Sequence, residues 1–195
     1  MPRNEPPPEI AFMGDLTDRE SELTQHLLEV PPGGSCLLYF DSPGGNPYVG
    51  LSLMSLMLLR DVRATGIVTG ECSSAALWPL AACRRRYVTP YSVLLFHPMK
   101  WQSEENVGLA EAAEWARHFG DLEKTMDQLL AELFGVSQAD MVRWMQPGRY
   151  LTGREIVEAG LAEMVGLEPL NIAELNGTGR RGKTGQGVLR HARSK

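Results

Sequence analysis

The sequence predicts an α/β fold in which short parallel strands alternate with helices. Three observations lead to this class: apolar runs of four or five residues recur, helix-length segments separate them, and glycine-rich or small-residue turns follow several of them. Short apolar strands separated by helices are typical of a parallel sheet covered on both faces. In such sheets ligand chemistry is found at the carboxyl ends of the strands.

Local signals predict the elements in order. Apolar, β-branched and aromatic runs predict strands at 10–13, 36–40, 65–69, 87–89 and 93–96. Thr17 is a candidate cap for a helix over about 18–30, which Pro31 and the glycines after it bring to an end. A largely buried helix is predicted over 48–60.

A third strand-turn-helix unit begins at Gly70 and continues through a small-residue helix to about Cys83. The stretch 107–134 contains no proline and has the longest helical pattern, either as one helix or as two helices broken at Gly120. A single helix of that length needs apolar contacts outside its own domain, which favours an oligomer.

Length and composition bound the organisation of the chain. With 195 residues and 43% hydrophobic residues, we expect a short extension at 1–9, one domain at 10–166 and a disordered Gly- and Arg-rich tail at 167–195. Residues 1–165 carry 13 Lys+Arg against 22 Asp+Glu, whereas residues 166–195 carry 6 against 2. The acidic body argues against nucleic-acid binding. The lack of a long apolar run or a signal peptide favours a cytoplasmic protein without membrane association.

Two further features argue against a metal or nucleotide cofactor. The three cysteines show no C-x-x-C spacing, so they are predicted as buried thiols: Cys36, Cys72 and Cys83. Residues 177–184 match the phosphate-loop pattern G-x-x-x-x-G-K-T, but no apolar strand precedes them and only 11 residues follow. No cofactor and no metal site is therefore predicted.

The small-residue segment 70–76 offers a candidate nucleophile. A serine hydroxyl becomes reactive when a neighbouring base accepts its proton, and free N–H groups at a helix start stabilise negative charge. Ser74 has this position in the predicted unit, with Ser73 beside it as the alternative nucleophile. The structural alternative is that Ser74 only caps a helix.

Two further segments complete a candidate site. Gly44 and Gly45 follow a strand in Ser-Pro-Gly-Gly, where consecutive glycines can direct N–H groups toward an oxyanion, although a type II turn would use the same residues. His97 closes the strand 93–96, either as a general base or as a buried core histidine. The combination predicts acyl transfer, most simply peptide hydrolysis.

These segments resemble, in the same order, the proteolytic subunit of Clp protease, a family of serine peptidases. The resemblance covers 10–165 and rests on the segments 42–45, 70–74, 89–92, 97–98, 107–134, 149–152 and 155–161. It implies a Clp/crotonase-type spiral of βαβ units with a long handle helix at about 107–134. The closing segments look like the family's last helix and last strand.

The resemblance also implies roles and partners. Ser74 would attack, His97 would act as base, and the N–H groups of Gly45 and Ala75 would bind the oxyanion, beside Gly44. The substrate would be a peptide or an unfolded protein, and the chain would join a homo- or hetero-oligomeric ring. An AAA+ unfoldase is the partner that the family implies.

The sequence departs from the family at three places. The triad acid would stand immediately before 149–152, where this chain has Gly148; losing such an acid costs up to ~10⁴ in rate. A dyad of serine and histidine could still turn over slowly, and the candidates to replace the acid are Asp140, Gln146 and a backbone carbonyl, among which the spacing selects none. Residues 145–148 lack the charged pair that the family uses between stacked rings, and only nine residues precede the first strand.

Two alternative functions remain, the first allowed by these departures and the second by the shared fold. A non-catalytic relative would keep the fold and serve a ring as a structural or regulatory subunit. A crotonase-like acyl-CoA enzyme would share the spiral fold, but it needs acidic catalytic residues and a CoA-phosphate site that the sequence does not place.

Overall fold

The computed structural model describes residues 6–100 and 106–169. Its elements are β1 (Glu9–Met13), α1 (Leu16–Glu29), β2 (Ser35–Ser42), α2 (Pro47–Leu59), β3 (Arg63–Ser73), a 3₁₀ turn (Ser74–Ala76), α3 (Leu77–Ala82), β4 (Arg85–Val88), β5 (Val93–Phe96), α4 (Leu109–Phe134), α5 (Gln138–Met145), β6 (Arg149–Thr152), α6 (Gly153–Glu158) and β7 (Glu163–Met164). Helices alternate with strands throughout the first half, so the predicted α/β class is confirmed.

The sheet divides at β3. Strands β1, β2, β3, β4 and β7 lie side by side in that order and run parallel. The first part of β3, 65–68, pairs with β4, whereas its last part, 71–73, pairs with β5. Strand β6 is antiparallel to β5, so the sheet is mixed at this edge. This division brings the ends of β2, β3 and β5 to one side of the sheet.

The end of β5 is anchored by aromatic packing. Phe96 is fully buried, and its ring centroid lies 6.1 Å from that of Phe134 in α4 and 5.3 Å from that of Trp144 in α5. Aromatic pairs of this kind each contribute about 0.5–1.5 kcal/mol beyond the apolar area that they bury. The cluster therefore fixes the position of the next residue, His97, against α4.

Two details of the sequence prediction were wrong. Thr17 lies inside α1, and the helix is capped by Asp15, whose carboxylate accepts a hydrogen bond from the Thr17 N–H at 2.8 Å. The unit from Gly70 does not begin with a turn, because β3 continues to Ser73 and the helical turn begins at Ser74. This extension of β3 is stabilised by its pairing with β5 and by the Glu71 N–H, which donates to Asp41 Oδ1 at 3.0 Å.

The long helix is a single element. Helix α4 passes Gly120 without a break, and its buried residues are confined to its second half: Met126, Leu130, Ala131 and Phe134. At its start, Leu109 is 89% exposed. The first half of α4 therefore extends away from the core that this chain provides.

The three cysteines are buried free thiols, as predicted, and burial raises the pKa of each, that of Cys36 to about 11. In the part of the chain that the structure describes, no helix combines the length and apolarity needed to cross a membrane. The phosphate-loop match at 177–184 and nearly all of the predicted tail lie outside the described residues.

Candidate active site

A cavity of about 200 Å³ lies where the ends of β3 and β5 meet α4. Four of the five predicted site residues line it: Gly45, Ser74, Ala75 and His97. The other lining residues are Pro47, Leu77, Trp78, Met99, Lys100, Asp127, Leu130 and Met145. The fold thus gathers segments that are far apart in sequence into one site.

Ser74 occupies the sharp turn between β3 and the 3₁₀ turn. Its φ is +53°, a left-handed conformation that costs a non-glycine residue about 1–3 kcal/mol and is concentrated at functional sites. Ser73 is only 1% exposed, and its hydroxyl donates to Glu71 Oε1 at 2.6 Å. Of the two candidate nucleophiles, Ser74 is therefore the one at the cavity.

The two glycines have different places. The Gly44 N–H donates to Ser42 Oγ at 3.1 Å, and a Cβ at Gly44 would lie 2.8 Å from the Cβ of Ser74. Gly44 therefore packs against the Ser74 turn, and its N–H already donates to Ser42. The Gly45 N–H has no hydrogen-bond acceptor within residues 6–100 and 106–169, and Gly45 lines the cavity.

Ala75 supplies a second N–H at the cavity. It is the second residue of the 3₁₀ turn, and the first N–H groups of a helical turn have no acceptor within it. Gly45 and Ala75 thus each carry a backbone N–H at the cavity that Ser74 also lines, and backbone donors are the groups that stabilise an oxyanion when they point toward it.

Hydrogen bonds to the β1–α1 turn hold the loop that carries Gly45. The Ser42 hydroxyl donates to the Gly14 carbonyl at 2.6 Å, and the Asn46 N–H donates to Thr17 Oγ1 at 2.8 Å. The Leu16 N–H donates to the Gly44 carbonyl at 2.8 Å. The sequence analysis did not identify this support, since it depends on contacts between distant turns.

Gly45→Ala is expected to destabilise the protein. A Cβ at Gly45 would lie 2.5 Å from Asp15 Oδ1 and 2.7 Å from Thr17 Oγ1, and the φ of +144° disfavours any other residue. We expect a loss of about 1–3 kcal/mol in the free energy of unfolding, measured by urea denaturation. Gly120→Ala is the matched control: a Cβ there meets nothing within 4 Å, so this variant should gain about 0.5–1 kcal/mol. Equal stability of the two variants would contradict the close packing of Gly45 against Asp15 and Thr17.

His97 follows β5 and is half-buried. Its Nδ1 lies 2.7 Å from the carbonyl oxygen of Pro98, which can only accept, so in the neutral ring Nδ1 carries the proton and Nε2 is left as an acceptor. This tautomer suits a general base. Among the described residues no hydrogen bond joins Ser74 to His97, although both line the cavity; such bonds are often long without substrate.

The position of the missing acid lies beside His97. A Cβ at Gly148 would be 3.2 Å from the Cβ of His97, and the φ of Gly148 is +123°. Asp140 does not replace the acid, because its carboxylate accepts from Ser137 at 2.6 Å and pairs with Arg143 at 2.7 Å. Of the three substitutes considered, the backbone carbonyl, that of Pro98, is the one that contacts His97.

Asp127 is a site residue that the sequence analysis missed. It lies on α4, it lines the cavity, and burial together with the negative charge of Glu123 raises its carboxyl pKa to about 6. Glu123 itself accepts a hydrogen bond from the Met99 N–H at 3.0 Å. Its spacing in the sequence could have identified it: Asp127 lies between Met126 and Leu130, and helical periodicity therefore places it on the buried face of α4.

Asp127→Asn is expected to stabilise the protein at pH 8. A pKa of about 6, raised from 3.8, means that wild-type stability falls as the pH rises from about 4 to 6. Because the carboxylate is partly exposed, we expect the variant to gain on the order of 1 kcal/mol at pH 8 and little at pH 4, measured by urea denaturation. The control is Asp121→Asn on the exposed side of α4, where no such pH-dependent gain is expected. An equal gain at both pH values would contradict the raised pKa.

No group of three or more His, Cys, Asp or Glu side chains able to hold a metal ion occurs among residues 6–100 and 106–169.

Comparisons with known proteins place the chain in one family. The sequence model of the family described as Clp protease matches residues 11–168. An "ATP-dependent Clp protease proteolytic subunit" from Ostreococcus tauri is 30% identical over 167 residues, covering 80% of each chain. The "ATP-dependent Clp protease proteolytic subunit 1" from Corynebacterium jeikeium is 25% identical over 165 residues, 80% of this chain and 86% of the relative.

A solved structure of a ClpP1 mutant from Listeria monocytogenes superposes with a TM-score of 0.72 at 16% identity, covering 82% of this chain and 92% of the other. That likeness confirms the predicted Clp/crotonase-type fold. With a family match that covers most of its length, the chain belongs to the Clp protease family.

Proposed function

We propose that this chain is a serine endopeptidase that hydrolyses peptide bonds through an acyl-enzyme. The observation that supports the proposal is the grouping of Ser74, His97 and the free N–H of Gly45 around one cavity. By the names of its relatives, its setting would be an ATP-dependent Clp protease. The proposal includes what the sequence resemblance implies: a cytoplasmic ring that receives peptides or unfolded proteins from an AAA+ unfoldase.

In the acylation step, Ser74 Oγ attacks the carbonyl carbon of the scissile bond while His97 Nε2 accepts the hydroxyl proton. Negative charge develops on the carbonyl oxygen, where the N–H groups of Gly45 and Ala75 stabilise it. The C–N bond then breaks as the imidazolium donates its proton to the leaving amine. A water molecule, activated by His97 in the same way, hydrolyses the ester.

The Pro98 carbonyl performs only part of the task of a triad acid. It holds the Nδ1 proton and therefore the tautomer of His97, but a neutral oxygen stabilises the imidazolium less than a carboxylate does. We therefore expect turnover slower than that of a complete triad, by a factor of up to ~10⁴.

A non-catalytic subunit, structural or regulatory, is the second candidate function. The observation that favours it is Gly148, whose left-handed backbone lies beside His97 at the position of the missing acid. It would keep the fold and the ring contacts of the family without turnover.

Labelling by a fluorophosphonate separates the two functions. The probe forms a stable adduct only with an activated serine, and mass spectrometry of the digested protein identifies the residue that carries it. We expect the adduct on Ser74. Correctly assembled protein that takes up no probe would favour the non-catalytic subunit, and an adduct on Ser73 would overturn the assignment of the nucleophile.

A further inference from the structure

The cavity at Ser74 has walls of two kinds. One wall is apolar and includes Leu77, Trp78, Met99, Leu130 and Met145. Among the described residues that line the cavity, Asp127 is the one carboxylate. Because the cavity is continuous with Ser74, a substrate that places its carbonyl at this serine places a neighbouring side chain in the cavity.

In the part of the chain that the structure describes, no cationic side chain pairs with the Asp127 carboxylate. Among residues 6–100 and 106–169, no hydrogen bond or ion pair includes its carboxylate, although it is half-buried on α4. Lys100 also lines the cavity, but it is exposed and forms no ion pair with Asp127 in the described structure. A partly buried carboxylate without a partner costs free energy, which a cationic ligand would offset.

We propose that Asp127 determines the substrate specificity of this site, selecting peptides whose side chain next to the scissile bond ends in a positive charge. Lysine and arginine have this form, since an aliphatic stem can pack against the apolar wall while the charged group reaches the carboxylate. The inference rests on the proposed function, and it names the substrate class of the same site.

The preference should depend on pH in a defined direction. Among the described residues, the charged and titratable groups around Asp127 are Glu123 from α4, and His97 and Lys100, which line the same cavity from the segment after β5. The Asp127 pKa of about 6 means that the carboxylate is charged above that pH and neutral below it. Selection for a positive charge is therefore expected above about pH 6 and should be lost below it.

The test compares two peptidyl diphenyl phosphonates that differ only in the residue at the reactive phosphorus, one lysine-like and one norleucine-like. At pH 8 we expect the lysine probe to label wild-type protein at least about tenfold faster than the norleucine probe. The ratio should fall to about one in Asp127→Asn and in wild type at pH 5. Using a ratio cancels any pH dependence that both probes share through His97.

Asp121→Asn is the matched control, since it makes the same substitution on the same helix at an exposed residue. It should keep the wild-type ratio. If the norleucine probe labels Ser74 as fast as the lysine probe does, or faster, the assignment of Asp127 is overturned while the peptidase function stands.

A binding measurement makes the inference independent of turnover. Fluorescence anisotropy compares short labelled peptides that end in lysine or in norleucine on wild-type protein and on Asp127→Asn. If no phosphonate reacts but the lysine peptide binds about tenfold more tightly, only to the wild type, the specificity of Asp127 stands and the peptidase function fails. Without reaction, equal or undetectable binding of both peptides overturns both.

Discussion

Ser74→Ala is expected to abolish both fluorophosphonate labelling and peptide hydrolysis, a fall of at least about 10³-fold in rate. Ser74 is the hydroxyl at the cavity, held at a left-handed turn, with His97 on the same cavity and the Gly45 N–H free beside it. Removing the nucleophile leaves only the backbone donors and the binding surface. The measurement is the initial rate of probe uptake, followed by fluorescence after gel separation.

Ser73→Ala is the matched control for this prediction. Its hydroxyl is buried and bonded to Glu71, so its loss should lower the stability by about 0.5–1.5 kcal/mol and leave the labelling rate within a few-fold of wild type. Labelling that survives in Ser74→Ala and disappears in Ser73→Ala would show that the two serines have been assigned the wrong way round.

The general position of this site could be predicted because each motif follows a strand. Parallel strands place their carboxyl ends at one edge of a sheet, so residues after β2, β3 and β5 were expected to meet. The structure brings Gly45, Ser74 and His97 to one cavity for that reason. Their exact roles were less predictable, because Ser73 and Ser74 differ only in where β3 ends, and that point depends on its pairing with β5.

Other features depend on contacts between residues distant in the chain. Gly44 and Gly45 look equivalent in sequence, yet the Gly44 N–H donates to Ser42, whereas the Gly45 N–H has no acceptor in the part of the chain that the structure describes. Asp127 is one of several acidic residues along a long helix, and only the docking of α4 on the cavity separates it from those that face water.

Gly148 illustrates the limit of motif comparison. The sequence shows that the acid is missing, but it does not show that the backbone at this position is left-handed, or that the Pro98 carbonyl contacts His97 instead. Replacing the acid by Gly148 thus changes the backbone conformation as well as the side chain. A sequence motif records only the change of side chain.

His97→Ala is expected to lower the rate of labelling at least about 10³-fold, because the Ser74 hydroxyl loses the group that accepts its proton. A general base can in part be replaced from solution, so adding free imidazole should restore a fraction of the rate by occupying the space that the side chain leaves. A residue that only supports the fold would show no such rescue.

His118→Ala is the matched control, since His118 is exposed on α4 and contacts Tyr48 outside the cavity; its labelling rate should equal that of wild type. If His97→Ala is labelled as fast as wild type, Ser74 is activated by some other group and the dyad is overturned. If the variant is slow but imidazole has no effect while the protein remains folded, His97 positions the Ser74 turn and does not transfer its proton.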